Sequence, residues 1–136
     1  MVLVETSVLS DTVLDSRYSS LMLISKQTLT FTAEAGLTTP SGTETYTHNF
    51  GYCPLVLGEA VISIAGTSVY NLPFNYTFTG LGTYISVYIG LKSKENTIDI
   101  DWTVDEYLPG ESYPLASDVD FTVTLYIYGY KLGYTT

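Results

Sequence analysis

Apolar and polar residues alternate with a period of two in segment after segment of this chain, whereas the 3.6-residue period of an amphipathic helix is scarce. Across residues 84–91, Ile85, Val87, Ile89 and Leu91 alternate with Tyr84, Ser86, Tyr88 and Gly90. Across residues 98–104, Ile98, Ile100, Trp102 and Val104 alternate with Asp99, Asp101 and Thr103. Successive side chains of a strand point to opposite faces, so each pattern predicts a strand with one buried and one wet face. Residues 119–128 set Val119, Phe121, Val123, Leu125 and Ile127 against Asp120, Thr122, Thr124, Tyr126 and Tyr128, with the β-branched and aromatic content that strands favour. Residues 21–32 place Leu21, Leu23, Leu29 and Phe31 on one face and Lys26, Thr28, Thr30 and Thr32 on the other.

Residues 54–64 form a more continuously apolar run, which predicts a more deeply buried strand. Residues 68–79 are interrupted by Pro73, which cannot donate to a ladder and so marks an edge or a bend. Turn residues separate these segments at Thr39-Pro40-Ser41-Gly42, Ala65-Gly66-Thr67, Gly80-Leu81-Gly82, Lys94-Glu95-Asn96 and Pro109-Gly110-Glu111. About seven short strands without crossover helices predict an all-β fold, an antiparallel β-sandwich of jelly-roll or lectin-like type. A chain of 136 residues and 15.0 kDa suits one core, placed in residues 21–136 as a single sandwich domain. Residues 1–20 mix Val, Leu, Ser, Thr and Asp without a glycine or proline break, and read as an extended N-terminal arm or a first strand. An arm laid on a neighbouring copy would keep those apolar side chains out of water, with Arg17 and Tyr18 as arm contacts.

Composition narrows the function. With 46% hydrophobic and 14% charged residues the chain is too apolar to be disordered. No run approaches the roughly 20 apolar residues of a membrane helix, and the start lacks the basic and apolar regions of a signal peptide, so no membrane insertion is expected. A formal charge of −9 opposes binding to a phosphate backbone, so nucleic acid is not an expected partner. The single histidine, His48, and single cysteine, Cys53, carry no signature of activation; they read as a turn histidine and a buried apolar cysteine in a protein that is not an enzyme. Asp99, Asp101, Asp105, Glu106 and Glu111 match no calcium-loop spacing, and no glycine-rich phosphate cradle opens a helix. No catalytic residue, metal or cofactor is therefore expected. The 13 tyrosines are the informative excess: a large apolar face with a polar tip suits subunit interfaces and sugar contacts alike. Tyr126, Tyr128 and Tyr130, opposite the expected core face of the last strand, are the candidate interface or glycan contacts.

Tyr46-Thr47-His48-Asn49-Phe50-Gly51-Tyr52-Cys53-Pro54-Leu55-Val56 resembles a motif of tailed-bacteriophage virion proteins, in which a strand ends in His-Asn, a hydrophobic residue, Gly-Tyr, one variable residue and Pro before a buried strand. Asp15-Ser16-Arg17-Tyr18 resembles a segment that precedes the first long strand in some of them. The physical sense is a corner: Gly51 permits the turn, Tyr52 closes it and Pro54 starts the next strand, with His48 at its entry. A second resemblance, to H-type lectin domains, rests on Phe50, Pro54 and Val56 and supports fold and oligomer rather than sugar-binding residues. These resemblances imply a structural tail component, or a decoration or adaptor subunit, assembled in the host cytoplasm into the virion. Its partners would be copies of itself in a symmetric homo-oligomer and other virion proteins. The alternative is a receptor-recognition module that binds host-surface carbohydrate through exposed tyrosines.

Overall fold

A computed structural model describes residues 20–79 and 82–131, with residues 20, 130 and 131 described by their backbone. The strands are β1 (Ser20–Ala33), β2 (Ser41–Thr47), β3 (Leu55–Ile62), β4 (Val69–Asn71), β5 (Phe74–Thr79), β6 (Tyr84–Ser93), β7 (Thr97–Leu108), β8 (Glu111–Tyr113) and β9 (Val119–Lys131). They form two antiparallel sheets, ordered β1-β9-β3-β4 and β2-β7-β6-β5, with β8 paired to the end of β7. The chain changes sheet between β1 and β2, between β2 and β3, at Leu72-Pro73 and between β8 and β9. Pro73 thus stands at a bend between two edge strands, where a missing N–H disturbs no ladder.

The sandwich core is made by the inner faces of the strands whose alternation is cleanest. Ile98, Ile100, Trp102 and Val104 of β7 and Val87 and Ile89 of β6 face Val119, Phe121, Val123, Leu125 and Ile127 of β9 and Ala60 and Ile62 of β3. At its centre Phe31 stacks on Phe121 with centroids 4.9 Å apart and on Trp102 at 5.7 Å, joining the two sheets through aromatic contact. The indole Nε1–H of Trp102 is buried without a hydrogen-bond partner among the described residues, so packing against these rings and Gly42 holds the side chain.

Four sequence expectations change. First, the ladder between β1 and β9 shifts register between Leu23 and Ser25. A bulge moves every residue on one side of it to the other face. Leu29 and Phe31 lie opposite the core residues Val123 and Phe121, but Leu23 lies opposite Tyr128, on the outer face. Leu21 and Leu23 therefore do not share the core face of Leu29 and Phe31. Second, β3 is buried only in its second half, because the outward Leu55 and Leu57 are exposed. Third, β2 is a strand in a stretch with one apolar side chain, Tyr46, and no sequence alternation to mark it. Fourth, Cys53 is exposed rather than buried. β1 begins at Ser20; residues 1–19, and with them Arg17, Tyr18 and the arm, lie outside the described residues.

Candidate functional site

Two features meet at the end of the sandwich where β2 hands over to β3: a hydrogen-bonded corner and an apolar sheet end.

The corner spans residues 48–54 and seats itself on the turn between β6 and β7. His48 N–H and Asn49 N–H both donate to the Asn96 carbonyl, at 2.9 and 3.1 Å. Gly51 N–H is shared between the Glu95 carbonyl at 3.1 Å and Asn96 Oδ1 at 3.2 Å. The His48 ring closes the loop. Phe50 N–H can only donate, so Nδ1 accepts at 2.9 Å; the Lys94 carbonyl can only accept, so the ring proton sits on Nε2, 2.9 Å away. Both ring nitrogens are thus engaged by backbone. Phe50 packs between His48, at 4.6 Å, and Tyr52, at 5.6 Å between centroids. Pro54 is buried, and its carbonyl accepts from Ser93 Oγ at 2.7 Å, fixing the start of β3. Tyr52 leads onward to the other sheet: Gly129 of β9 leaves the space that the Tyr52 hydroxyl and the tip of Ile24 occupy.

Gly51 has φ +80°, where side chains beyond glycine are strained, while a Cβ there would meet nothing within 4 Å. The cost of Gly51→Val is therefore backbone strain alone, of about 1–2 kcal/mol. A fall in the urea midpoint corresponding to this loss is expected, and an unchanged midpoint would show that glycine does not set the corner.

The apolar end lies on the same side. On the outer face of the β1-β9-β3 sheet, Tyr128 stands between Leu23 and Leu55, and Tyr126 between Lys26 and Leu57. Tyr126 donates its hydroxyl to Glu59 Oε1 at 2.7 Å, and Lys26 Nζ lies 5.6 Å from its ring centroid. The hydrogen bond to the Glu59 carboxylate, with burial adding to it, raises the Tyr126 phenol above its usual range. Tyr130 pairs with Leu21 in the ladder and is placed by its backbone alone. Beyond the start of β3 the β1-β9 ribbon continues without a third strand among the described residues, and it is apolar on both faces. Leu21 and Leu23 point outward, whereas Met22 lies opposite Gly129 and Ile24 packs over it on the inner side. Leu21 47%, Met22 41%, Leu23 46%, Ile24 46%, Leu55 48% and Leu57 53% exposed make this end a contiguous apolar surface rather than scattered residues.

The other sheet's outer face carries a row of acids on β7 beside the exposed Tyr84 and Tyr88 of β6. Asp99, Asp101 and Asp105 of β7 accept hydroxyl hydrogen bonds from Thr45, Thr43 and Thr39 at 3.0, 2.7 and 3.0 Å. Lys94 pairs with Asp99 at 2.6 Å, and that hydrogen bond holds the Asp99 carboxyl below its usual range. Glu106, next to Asp105 but on the inner face, instead reaches into the far end of the sandwich, where Thr83 Oγ1 and Ala116 N–H donate to it at 2.8 and 3.0 Å. Strand alternation therefore splits the acids between two faces, and no group of three or more His, Cys, Asp or Glu converges among the described residues.

The structure brings His48, Gly51, Tyr52 and Pro54 together as the predicted corner and places Tyr126 and Tyr128 outward. Sequence reasoning missed the leucines beside the tyrosines, whose exposure follows from the β1 bulge and from the position of β3. The fold and this surface define a two-sheet antiparallel sandwich protein with one apolar end. No protein-family model, curated protein or solved structure matches the chain.

Proposed function

We propose that this protein is a non-enzymatic structural subunit that works by self-association, of the kind used as a tail component or as a decoration or adaptor subunit of a tailed-bacteriophage virion. The observation that carries the self-association is the apolar end, where exposed Leu23, Leu55 and Leu57 lie beside Tyr126 and Tyr128 and exposed Leu21, Met22 and Ile24 continue it along the β1-β9 ribbon. Apolar surface of this kind gains about 25 cal/mol for each Å² removed from water. Charge points to the same surface. Copies carrying −9 each repel, and the apolar end has Lys26 and Glu59 at its border where the opposite sheet presents three aspartates. The leucines on both sides of Tyr128 favour contact with protein over sugar there, because stacked sugars need polar side chains around the ring to bind their hydroxyls. The virion assignment rests on the resemblance of residues 46–56, whose corner has the geometry described above.

Light scattering on the purified chain across a concentration series tests the reading. A discrete oligomer is expected, and a monomer at every concentration would refute self-association.

A further inference from the structure

The end of the β1-β9 ribbon raises a narrower question than the rest of the apolar surface, because an ordinary sheet-to-sheet contact covers one face and this ribbon is apolar on two. Leu21 and Leu23 are exposed on one side, Met22 and Ile24 on the other, and β1 is an edge strand whose second side has no partner strand among the described residues. An added strand alongside β1 would cover both faces at once and satisfy its free N–H and C=O groups.

Such a strand must itself be apolar on both faces, so it needs adjacent apolar residues rather than alternating ones. Val2-Leu3-Val4, Val8-Leu9 and Val13-Leu14 have this pattern. They lie in residues 1–19, which enter the fold at Ser20, at this same end. Nineteen residues span at most roughly 65 Å when extended, enough to run along a neighbour's β1. Return to their own β1 needs a turn inside the segment, and residues 1–19 contain no glycine or asparagine to favour the tightest two-residue hairpins.

We infer that residues 1–19 of one copy add as a strand to the free edge of β1 of another copy, covering Leu21 and Leu23 on one face and Met22 and Ile24 on the other. The inference rests on the self-association reading and specifies its occupant.

The test uses three full-length variants and their mixtures, weighed by light scattering and sedimentation. Val8→Asp with Leu9→Asp changes the donated segment, Leu21→Glu with Leu23→Glu changes the receiving edge, and Leu57→Glu changes the outer face away from that edge. Each of the first two is expected to raise the dissociation constant by at least about a hundredfold, the equivalent of two exposed leucine-sized contacts. Leu57→Glu, which alters one contact of the wider apolar end away from the receiving edge, should raise it by less than either pair, by about tenfold or below. Mixing the segment variant with the edge variant should restore a heterodimer, since one intact segment then meets one intact edge. No restoration would mean that the segment stays on its own chain and would overturn the inference. Dissociation by Leu57→Glu but not by the segment variant would also overturn it, placing a folded face of the second copy on the sheet while self-association stands. A wild-type chain that is monomeric throughout would instead remove the self-association reading itself. Circular dichroism of each variant reports whether the β fold is retained.

Discussion

Phe121→Ala should destabilise the domain by about 3–5 kcal/mol, a large share of the roughly 5–15 kcal/mol that holds a typical domain folded. Phe121 is buried on β9, and its ring contacts Phe31 of the edge strand β1 and Trp102 of the opposite sheet, with centroids 4.9 and 6.1 Å away. Removing it opens a hole bordered by two rings that belong to different elements, so neither can fill the space without leaving its own contacts. Urea unfolding followed by tryptophan fluorescence measures the loss, because Trp102 is the chain's one tryptophan and lies in the cluster. A loss below about 1 kcal/mol would show that the cluster collapses freely and is not what joins the sheets.

Gly42→Val is expected to destabilise by about 1–3 kcal/mol, the cost of overpacking a fitted interior. Local propensity predicts the opposite sign, since glycine weakens a strand and valine favours one. Gly42 lies opposite Trp102 in the β2-β7 ladder, and a Cβ would sit 2.9 Å from Cζ2 and 3.0 Å from Cε2 of its ring. The ring cannot retreat, because Phe31 and Phe121 are behind it. The urea midpoint of the variant decides between propensity and packing: a rise would mean that the indole moves aside and that Gly42 is not a close-approach site.

These two positions show how differently sequence and structure speak. The inward role of Phe121 is readable from residues 119–127, where alternation runs unbroken and β9 keeps its register against both neighbours. The need for glycine at 42 is not readable, because it arises from Trp102, sixty residues away and placed opposite only by the ladder. The corner stands between these cases. Its motif identifies His48, Gly51, Tyr52 and Pro54, yet the turn that receives it, Lys94-Glu95-Asn96, joins two other strands. Likewise, the strand β2 is nearly invisible in its own letters. Its Thr43 and Thr45 become intelligible only beside Asp101 and Asp99, which accept their hydroxyls across the ladder.

What the sequence by itself determined is the all-β class, the inner faces of β6, β7 and β9, and the outward direction of Tyr126 and Tyr128. Period-two alternation needs only the chain's own geometry, so it survives any tertiary arrangement. Only the tertiary structure decided which outward residues form a surface. The bulge after Leu23 sends Leu21 and Leu23 away from the face of Leu29 and Phe31, and pairing of β3 with β9 sets Leu55 and Leu57 beside the tyrosines. A period-two pattern cannot report its own interruption, nor which strand will lie next to it, because both depend on hydrogen bonds to residues distant in sequence.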